Sequence, residues 1–145
     1  MTTSDGLPDY AIGPLLLRAH RRAAEAFNSA LTTLDIQGRH FGVLFALSRF
    51  GPMSQVRLAA HTGADKSAVV RMVDDLQSHG YVERAASPDD RRAAVITLTA
   101  AGKDAFHRAE TIAGAVADDL LVGFDSEDRA HLKRLLVRFV TDPPE

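Results

Sequence analysis

The chain has 145 residues, 46% of them hydrophobic and 25% charged, a balance that fits one globular domain with a respectable core. It contains no cysteine, which excludes disulfides, thiolate-based zinc sites and sensing by thiol oxidation. The formal net charge is −2, so any contact with nucleic acid must come from where charges are placed and not from a basic excess.

Residues 1–9 are polar, lack the basic-then-apolar order of a secretion signal, and read as a short flexible arm. Leu15-Leu16-Leu17 is followed at once by Arg18, so no membrane span is expected. Together with the missing cysteines, this reads as a cytoplasmic protein. From Ile12 to Leu34, apolar residues recur in steps of three and four: Ile12, Leu15, Leu16, Ala19, Ala23, Ala26, Phe27, Ala30, Leu31 and Leu34. That spacing predicts one face of a long helix, with Arg18, Arg21, Arg22 and Glu25 on the other face. A second helix is expected from about Gln37, burying Phe41, Leu44, Phe45 and Leu47 and ending at Gly51-Pro52. Ser54 reads as the N-cap of a short helix with Val56, Leu58 and Ala59 inward, broken at Thr62-Gly63. Asp65 caps the next helix, which shares Val69, Met72, Val73 and Leu76 on one face and closes at Gly80.

Two β-rich segments, Tyr81-Val82 and Val95-Ile96-Thr97-Leu98, flank the turn-forming run Ser87-Pro88-Asp89-Asp90, with Arg91 and Arg92 beside it. Thr99 is expected to cap a long helix with Ala105, Phe106, Ala109, Ile112, Ala113, Val116 and Leu120 on its apolar face. Ser126 is expected to cap a last helix holding Leu132, Leu135, Leu136, Phe139 and Val140. No repeat, low-complexity tract or dividing linker interrupts this order. The fold expected is mainly α with a small β-wing: a helix-turn-helix followed by a hairpin, between long terminal helices.

In a helix-turn-helix the second helix enters the major groove of DNA, and its N-terminal residues meet the base edges. Once the inward residues of the 65–79 helix are removed, Lys66, Ser67, Val70, Arg71 and Asp74 face outward. Lys66 and Arg71 suit phosphate or guanine, Ser67 can donate or accept, and Val70 can touch a thymine methyl. Ser54 and Gln55, at the start of the preceding helix, suit phosphates. Arg91 and Arg92 on a projecting hairpin suit the narrow, negative minor groove, with Asp90 holding one of them extended. Charge density does not decide the matter. Between Ser54 and Arg92, six basic residues (Arg57, Lys66, Arg71, Arg84, Arg91, Arg92) meet six acids (Asp65, Asp74, Asp75, Glu83, Asp89, Asp90). A solvated helix and a polar turn remain open on the charges alone.

The spaced pattern Asp75-Leu76-x-x-x-Gly80-Tyr81-Val82-x-Arg84-x-x-Ser87-Pro88-x-Asp90-Arg91-Arg92-Ala93, then Leu98-Thr99-x-x-Gly102, resembles the signature of the MarR family of bacterial transcriptional regulators. Helix order and length agree over essentially the whole chain. The resemblance implies a single MarR-type domain over 1–145, with dimerisation helices at 10–35 and 100–141 and a winged helix-turn-helix at 37–99. It implies a homodimer on a palindromic double-stranded DNA operator. It places Lys66, Ser67, Val70 and Arg71 on the recognition helix and Asp90 and Arg92 in the wing, with Arg91 or Arg92 in the minor groove. Independently, the apolar faces of the terminal helices exceed what one small winged domain can cover, which itself points to a partner chain.

The resemblance further implies a small anionic or aromatic effector in a crevice between the dimer helices and the winged domain. The first helix offers Arg18, His20, Arg21 and Arg22 and the second Arg39 and His40; Arg18 is favoured to fork a phenolic or aromatic carboxylate beside an apolar stripe, with His20 and His40 as partners. Solvent-facing or interface salt-bridging roles fit these residues equally. The six histidines, His20, His40, His61, His79, His107 and His131, are scattered, and no second ligand is read at the i+3 or i+4 spacing of a helical metal site. No metal and no cofactor are therefore expected. No nucleotide-binding glycine loop or Gly-x-Ser-x-Gly elbow is present, so an enzyme is not expected. The leading expectation is a dimeric repressor released from its operator by a small molecule. The alternative is a winged-helix protein-interaction module that does not read DNA.

Overall fold

The structure, a computed structural model, describes residues 4–87, 89 and 93–141. A 3₁₀ turn at Asp9–Ala11 leads into α1 (Ile12–Leu31), and a second turn at Thr32–Leu34 carries the chain to α2 (Gly38–Phe50). Asp35 takes the left-handed conformation between them, which a short polar side chain tolerates. β1 (Met53–Ser54) follows, then α3 (Gln55–Thr62), α4 (Lys66–Ser78), β2 (Val82–Ala86), β3 (Ala94–Leu98), α5 (Ala100–Leu120) and α6 (Ser126–Val140).

The caps sit where short polar residues can reach the orphan amides of each helix. Ser54 accepts from Arg57 N–H, Asp65 from Ala68 N–H and Thr99 from Gly102 N–H. Gly63 ends α3 in the left-handed conformation. At α6 the cap belongs to Asp125 and not to Ser126. The Asp125 carboxylate accepts from Asp128 N–H at 2.8 Å, while Asp128 Oδ2 accepts from Asp125 N–H at 3.3 Å. This reciprocal pair makes Ser126 the first helical residue.

The hairpin is part of a three-stranded antiparallel sheet in the order β1-β3-β2. Val82 pairs with Leu98 and Arg84 with Ile96, while Met53 pairs with Ile96 from the other side. Central Ile96 is fully buried, with Met53 and Val82 beside it in the core. A two-residue strand was not anticipated, because Met53-Ser54 is too short to show alternation; only its pairing to β3 makes it a strand.

One hydrophobic core runs through Leu31, Leu34, Val43, Leu44, Leu47, Leu58, Val69, Val73, Leu76, Val82, Ile96, Phe106 and Ala109. All four residues expected on the inner face of α4 are buried. Of the residues expected inward on α2 and α3, Phe41 and Ala59 are half-buried and two others are exposed. Phe45 is 48% exposed, and Val56, on the outer side of α3, is 63% exposed. The last helix differs in kind: α6 buries none of its residues, although Leu135, Leu136, Phe139 and Val140 are apolar.

Two ties join the sheet to α5. Thr99 N–H donates to the Tyr81 carbonyl at 3.1 Å, and the Thr99 hydroxyl donates to the Gly80 carbonyl. Gly102, in the first turn of α5, is buried so close to this crossing that a Cβ there would overlap the Tyr81 carbonyl. The Leu98-Thr99-x-x-Gly102 spacing thus encodes a backbone crossing between helix and sheet.

Candidate nucleic-acid interface

The outward face of α4 carries Lys66, Ser67 and Arg71 exposed, with Val70 half-buried. The three acids of this segment each have hydrogen-bond partners within the fold. Asp65 is spent on the cap. Its Oδ1 accepts from Ala68 N–H at 2.7 Å and from the Ser67 hydroxyl at 2.8 Å. The Ala68 amide, then the Ser67 hydroxyl, hold the Asp65 carboxyl below its ordinary range. Ser67 consequently has its proton committed and presents lone pairs outward, so in this state it accepts and does not donate.

Asp74 is paired with Arg84, which reaches back from β2. Arg84 Nη2 donates to Asp74 Oδ1 at 2.7 Å and to the Val70 carbonyl at 3.4 Å, while Nη1 donates to Gln77 Oε1. One guanidinium therefore latches the first strand of the hairpin onto three residues of α4. In the sequence Arg84 stands among the charges and in the spaced signature, with no role attached. Its signal was the fixed spacing after Gly80-Tyr81-Val82, which places it one alternation beyond buried Val82 on the same side of the strand.

Asp75 is engaged by His40 of α2: Nε2 lies 2.9 Å from Asp75 Oδ2. The His40 hydrogen bond is the main cause that lowers the Asp75 carboxyl below its ordinary range. Among the described residues no ion pair forms to Lys66 or Arg71. The even tally of charges therefore conceals an uneven layout, with three of the six acids hydrogen-bonded within the fold and the two cations of α4 presented.

Ser54 and Gln55 open α3. Ser54 Oγ accepts from Arg57 N–H at 3.3 Å, which leaves its proton for an outside acceptor. Gln55 behaves differently: its Oε1 is buried without a partner among the described residues, so this end of its side chain turns inward. Asp90, Arg91 and Arg92 lie outside the described residues. The strands that carry them are paired through Ala86 and Ala94, with Ser87 N–H donating to the Ala93 carbonyl at 3.0 Å.

A cavity of about 660 Å³ opens between α1, α2 and the helix-turn-helix. From α1 it is lined by His20, Ala23, Ala24, Phe27 and Asn28, a single stripe of steps three and four. From α2 it takes Arg39, Phe41, Phe45 and Phe50, with His61 of α3 and Met72 of α4 completing the wall. Phe50 and His61 stack with ring centroids 4.4 Å apart. Of the three residues expected around an effector, His20 lines the cavity. Arg18, two residues earlier, falls off the stripe and is exposed. His40 points away to Asp75, and the cation on the cavity wall is its neighbour Arg39.

Glu110 does stand three residues beyond His107, at 4.0 Å, and both side chains are exposed. Among the described residues, no group of three or more histidines and carboxylates comes together in a way that could hold a metal ion. No helix there is long and apolar enough to cross a membrane.

The MarR family model matches residues 34–93, which is the stretch from the end of α1 to the hairpin. The HTH-type transcriptional regulator BilQ of Clostridium symbiosum is 31% identical over 106 residues, 71% of this chain and 74% of that protein. The chain belongs to the MarR family. The multiple antibiotic resistance protein MarR of Salmonella typhimurium is 31% identical over 91 residues, and the match spans 63% of the length of each. Among solved structures, a mutant MarR from Escherichia coli complexed with operator DNA superposes with a TM-score of 0.80 at 27% identity, covering 90% of this chain and 94% of that one. Bordetella bronchiseptica BpsR, whose DNA binding is described as regulated by 6-hydroxynicotinic acid, gives 0.81 at 25% identity, covering 90% and 98%. Each match covers nine-tenths of this chain, so this MarR-family chain shares the winged helix-turn-helix fold of those regulators. The members it resembles are transcriptional regulators and not enzymes.

Proposed function

We propose that this chain is a dimeric, sequence-specific DNA-binding transcriptional regulator of the cytoplasm, a repressor released from a palindromic operator by a small anionic aromatic effector. One observation carries the reading: α4 presents Lys66 and Arg71 outward while Asp65, Asp74 and Asp75 are each bound elsewhere. A helix in that state offers a groove two cations that no carboxylate pairs with directly. Ser54, Gln55 and Val70 flank it, and Asp90, Arg91 and Arg92 form the wing contact. The operator complex known for the Escherichia coli relative supports the same assignment here.

The division into dimerisation helices (10–35 and 100–141) and a winged unit (37–99) is supported by where apolar surface is left over. Ile12 and Leu16 of α1 form a groove with Leu135, Leu136 and Phe139 of α6. Leu135, Leu136, Val137, Phe139 and Val140 are all exposed in the single chain. Contiguous apolar surface of this kind marks an interface. A second copy packing α1 and α6 against their counterparts covers it.

The effector reading is supported by the chemistry of the cavity, where phenylalanines Phe27, Phe41, Phe45 and Phe50 share the lining with the Arg39 guanidinium and the His20 imidazole. Apolar walls with one forked cation suit an aromatic carboxylate, and the volume lies within the usual range for ligand sites. Arg39 takes the role first expected of Arg18, and His20 keeps its own as partner.

The test is to enrich duplexes from a random-sequence pool with the wild-type protein and measure affinity for the winner across salt concentrations. The expected result is a steep fall in affinity with salt, a slope reduced by about one in Lys66→Ala, and a loss shared by Arg91→Ala with Arg92→Ala. An absence of any enriched duplex, or binding indifferent to salt, overturns the DNA reading. Thermal shifts with phenolic acids, lost in Arg39→Ala, test the cavity.

A further inference from the structure

His40 is the only buried polar side chain in the core of the described residues, and it is buried at both ring nitrogens' expense. Nδ1 accepts from Gln37 N–H at 3.0 Å, at the N-cap of α2. The proton of the neutral imidazole is therefore on Nε2, where it donates to Asp75 Oδ2 at 2.9 Å. The ring thus bridges the first turn of α2 to the last turn of α4.

Asp75 is an odd choice for that last turn. A carboxylate there opposes the partial negative charge of the helix end, so the helix itself gains nothing from it. Its backbone carbonyl already receives His79 N–H at 3.1 Å, His79 Nδ1 at 2.7 Å and the Ser78 hydroxyl at 2.7 Å. What the side chain does is accept from His40.

On the sheet side α4 is held by the Arg84 latch; towards α2 and the core its other contacts are apolar, through Val69, Met72, Val73 and Leu76. Such contacts hold a helix down but are non-directional, and they let it roll and slide by small amounts. A hydrogen bond is directional and fixes both. Lys66 lies nine residues from Asp75, about 13.5 Å along the axis at 1.5 Å per residue. A tilt of about 5° at the anchored end moves the Lys66 end by roughly 1 Å, enough to spoil a bidentate contact with a base edge.

We propose that His40 is a positioning residue for DNA recognition: its hydrogen bond to Asp75 sets the roll and register of α4, and so aims Lys66, Ser67, Val70 and Arg71. This rests on the reading of α4 as the DNA-contacting helix. The tie leaves from the turn whose other residues, Gln37, Gly38, Arg39 and Phe41, line the cavity.

The experiment uses the full-length protein, the duplex enriched by the wild type and a scrambled duplex of equal length. Simple electrostatics and positioning predict opposite signs for Asp75→Ala. Removing a negative charge near DNA tightens binding to both duplexes, whereas freeing α4 weakens binding to the enriched duplex only. The expected result is a loss on the order of 10-fold for the enriched duplex, with the scrambled duplex unchanged or slightly tighter. Asp75→Asn keeps an acceptor for His40 Nε2–H and should restore most of the affinity. In a His40→Ala background, Asp75→Ala should add no further loss. Equal or tighter binding of the enriched duplex by Asp75→Ala overturns the proposal. So does an equal loss on both duplexes, or a loss in Asp75→Asn as large as in Asp75→Ala, which also decides the case if His40→Ala does not fold. A wild type that enriches no duplex overturns the DNA reading itself, and this proposal with it.

Discussion

Gly102 and Gly114 lie in the same helix, and the structure assigns opposite signs to the same substitution at the two positions. Alanine in place of glycine inside a helix is worth roughly 0.5–1 kcal/mol, because it reduces the backbone entropy lost on folding. At Gly114 nothing in the single chain lies within 4 Å of an added Cβ, so that gain is expected there. At Gly102 the Cβ would overlap the Tyr81 carbonyl, a backbone group and not the end of a flexible side chain. That carbonyl cannot step aside freely, since it accepts from Thr99 N–H while the Thr99 hydroxyl holds the Gly80 carbonyl. Forcing an atom into such a site costs about 1–3 kcal/mol. The net expectation for Gly102→Ala is a loss of about 1–2 kcal/mol, against a gain of about 0.5–1 kcal/mol for Gly114→Ala. Urea unfolding followed by circular dichroism measures both, at one fixed protein concentration because association raises apparent stability. In melting temperature, the two variants should separate by roughly 3–10 °C. If Gly102→Ala is as stable as the wild type or more so, the close crossing of α5 over the sheet is wrong.

Two other outcomes follow from the interface. Arg84→Ala should cost about 1–2 kcal/mol, most of it from the hydrogen bonds, because the Asp74 partner is largely exposed and contributes little as a charge. Arg84→Lys should recover less than half, since an ammonium cannot serve three acceptors from one plane; denaturant midpoints and amide exchange in the hairpin report it. Asp65 and Asp75 both have their folded carboxyl range depressed, so the stability they contribute is complete above the unfolded-state value. It is lost as pH falls below that value and through the folded one. Asp65→Asn, which keeps a capping side chain but no charge, should flatten the loss of stability below about pH 4. An unchanged acid slope in urea midpoints measured at neutral and acid pH would falsify that assignment.

Much of the scaffold is written in short stretches of chain. Ser54, Asp65 and Thr99 cap helices as their types and positions predict, and Gly63 ends α3, because a cap is a contact between residues three or four apart. The buried face of α4 is legible for the same reason, as periodicity is local. Errors gather where a second element decides. Phe45 and Val56 have the right spacing and hydrophobicity for burial, yet Phe45 borders the open cavity with only Phe41 and Phe106 beside it, and Val56 lies on the outer side of α3. Asp125 takes the cap expected of Ser126 because Asp128 returns the hydrogen bond.

The same division runs through the candidate site. Sequence by itself determined the helix-turn-helix, the hairpin, the family and the identities of the outward residues on α4, since each depends on local spacing within a recognisable order. Only the tertiary structure decided how the charges of that segment are spent. Arg84 pairs with Asp74 across 10 residues, His40 with Asp75 across 35, and His20 with Arg39 faces a cavity that Arg18 does not reach. An even count of acids and bases cannot show which carboxylates are tied down, because that depends on partners brought together by packing.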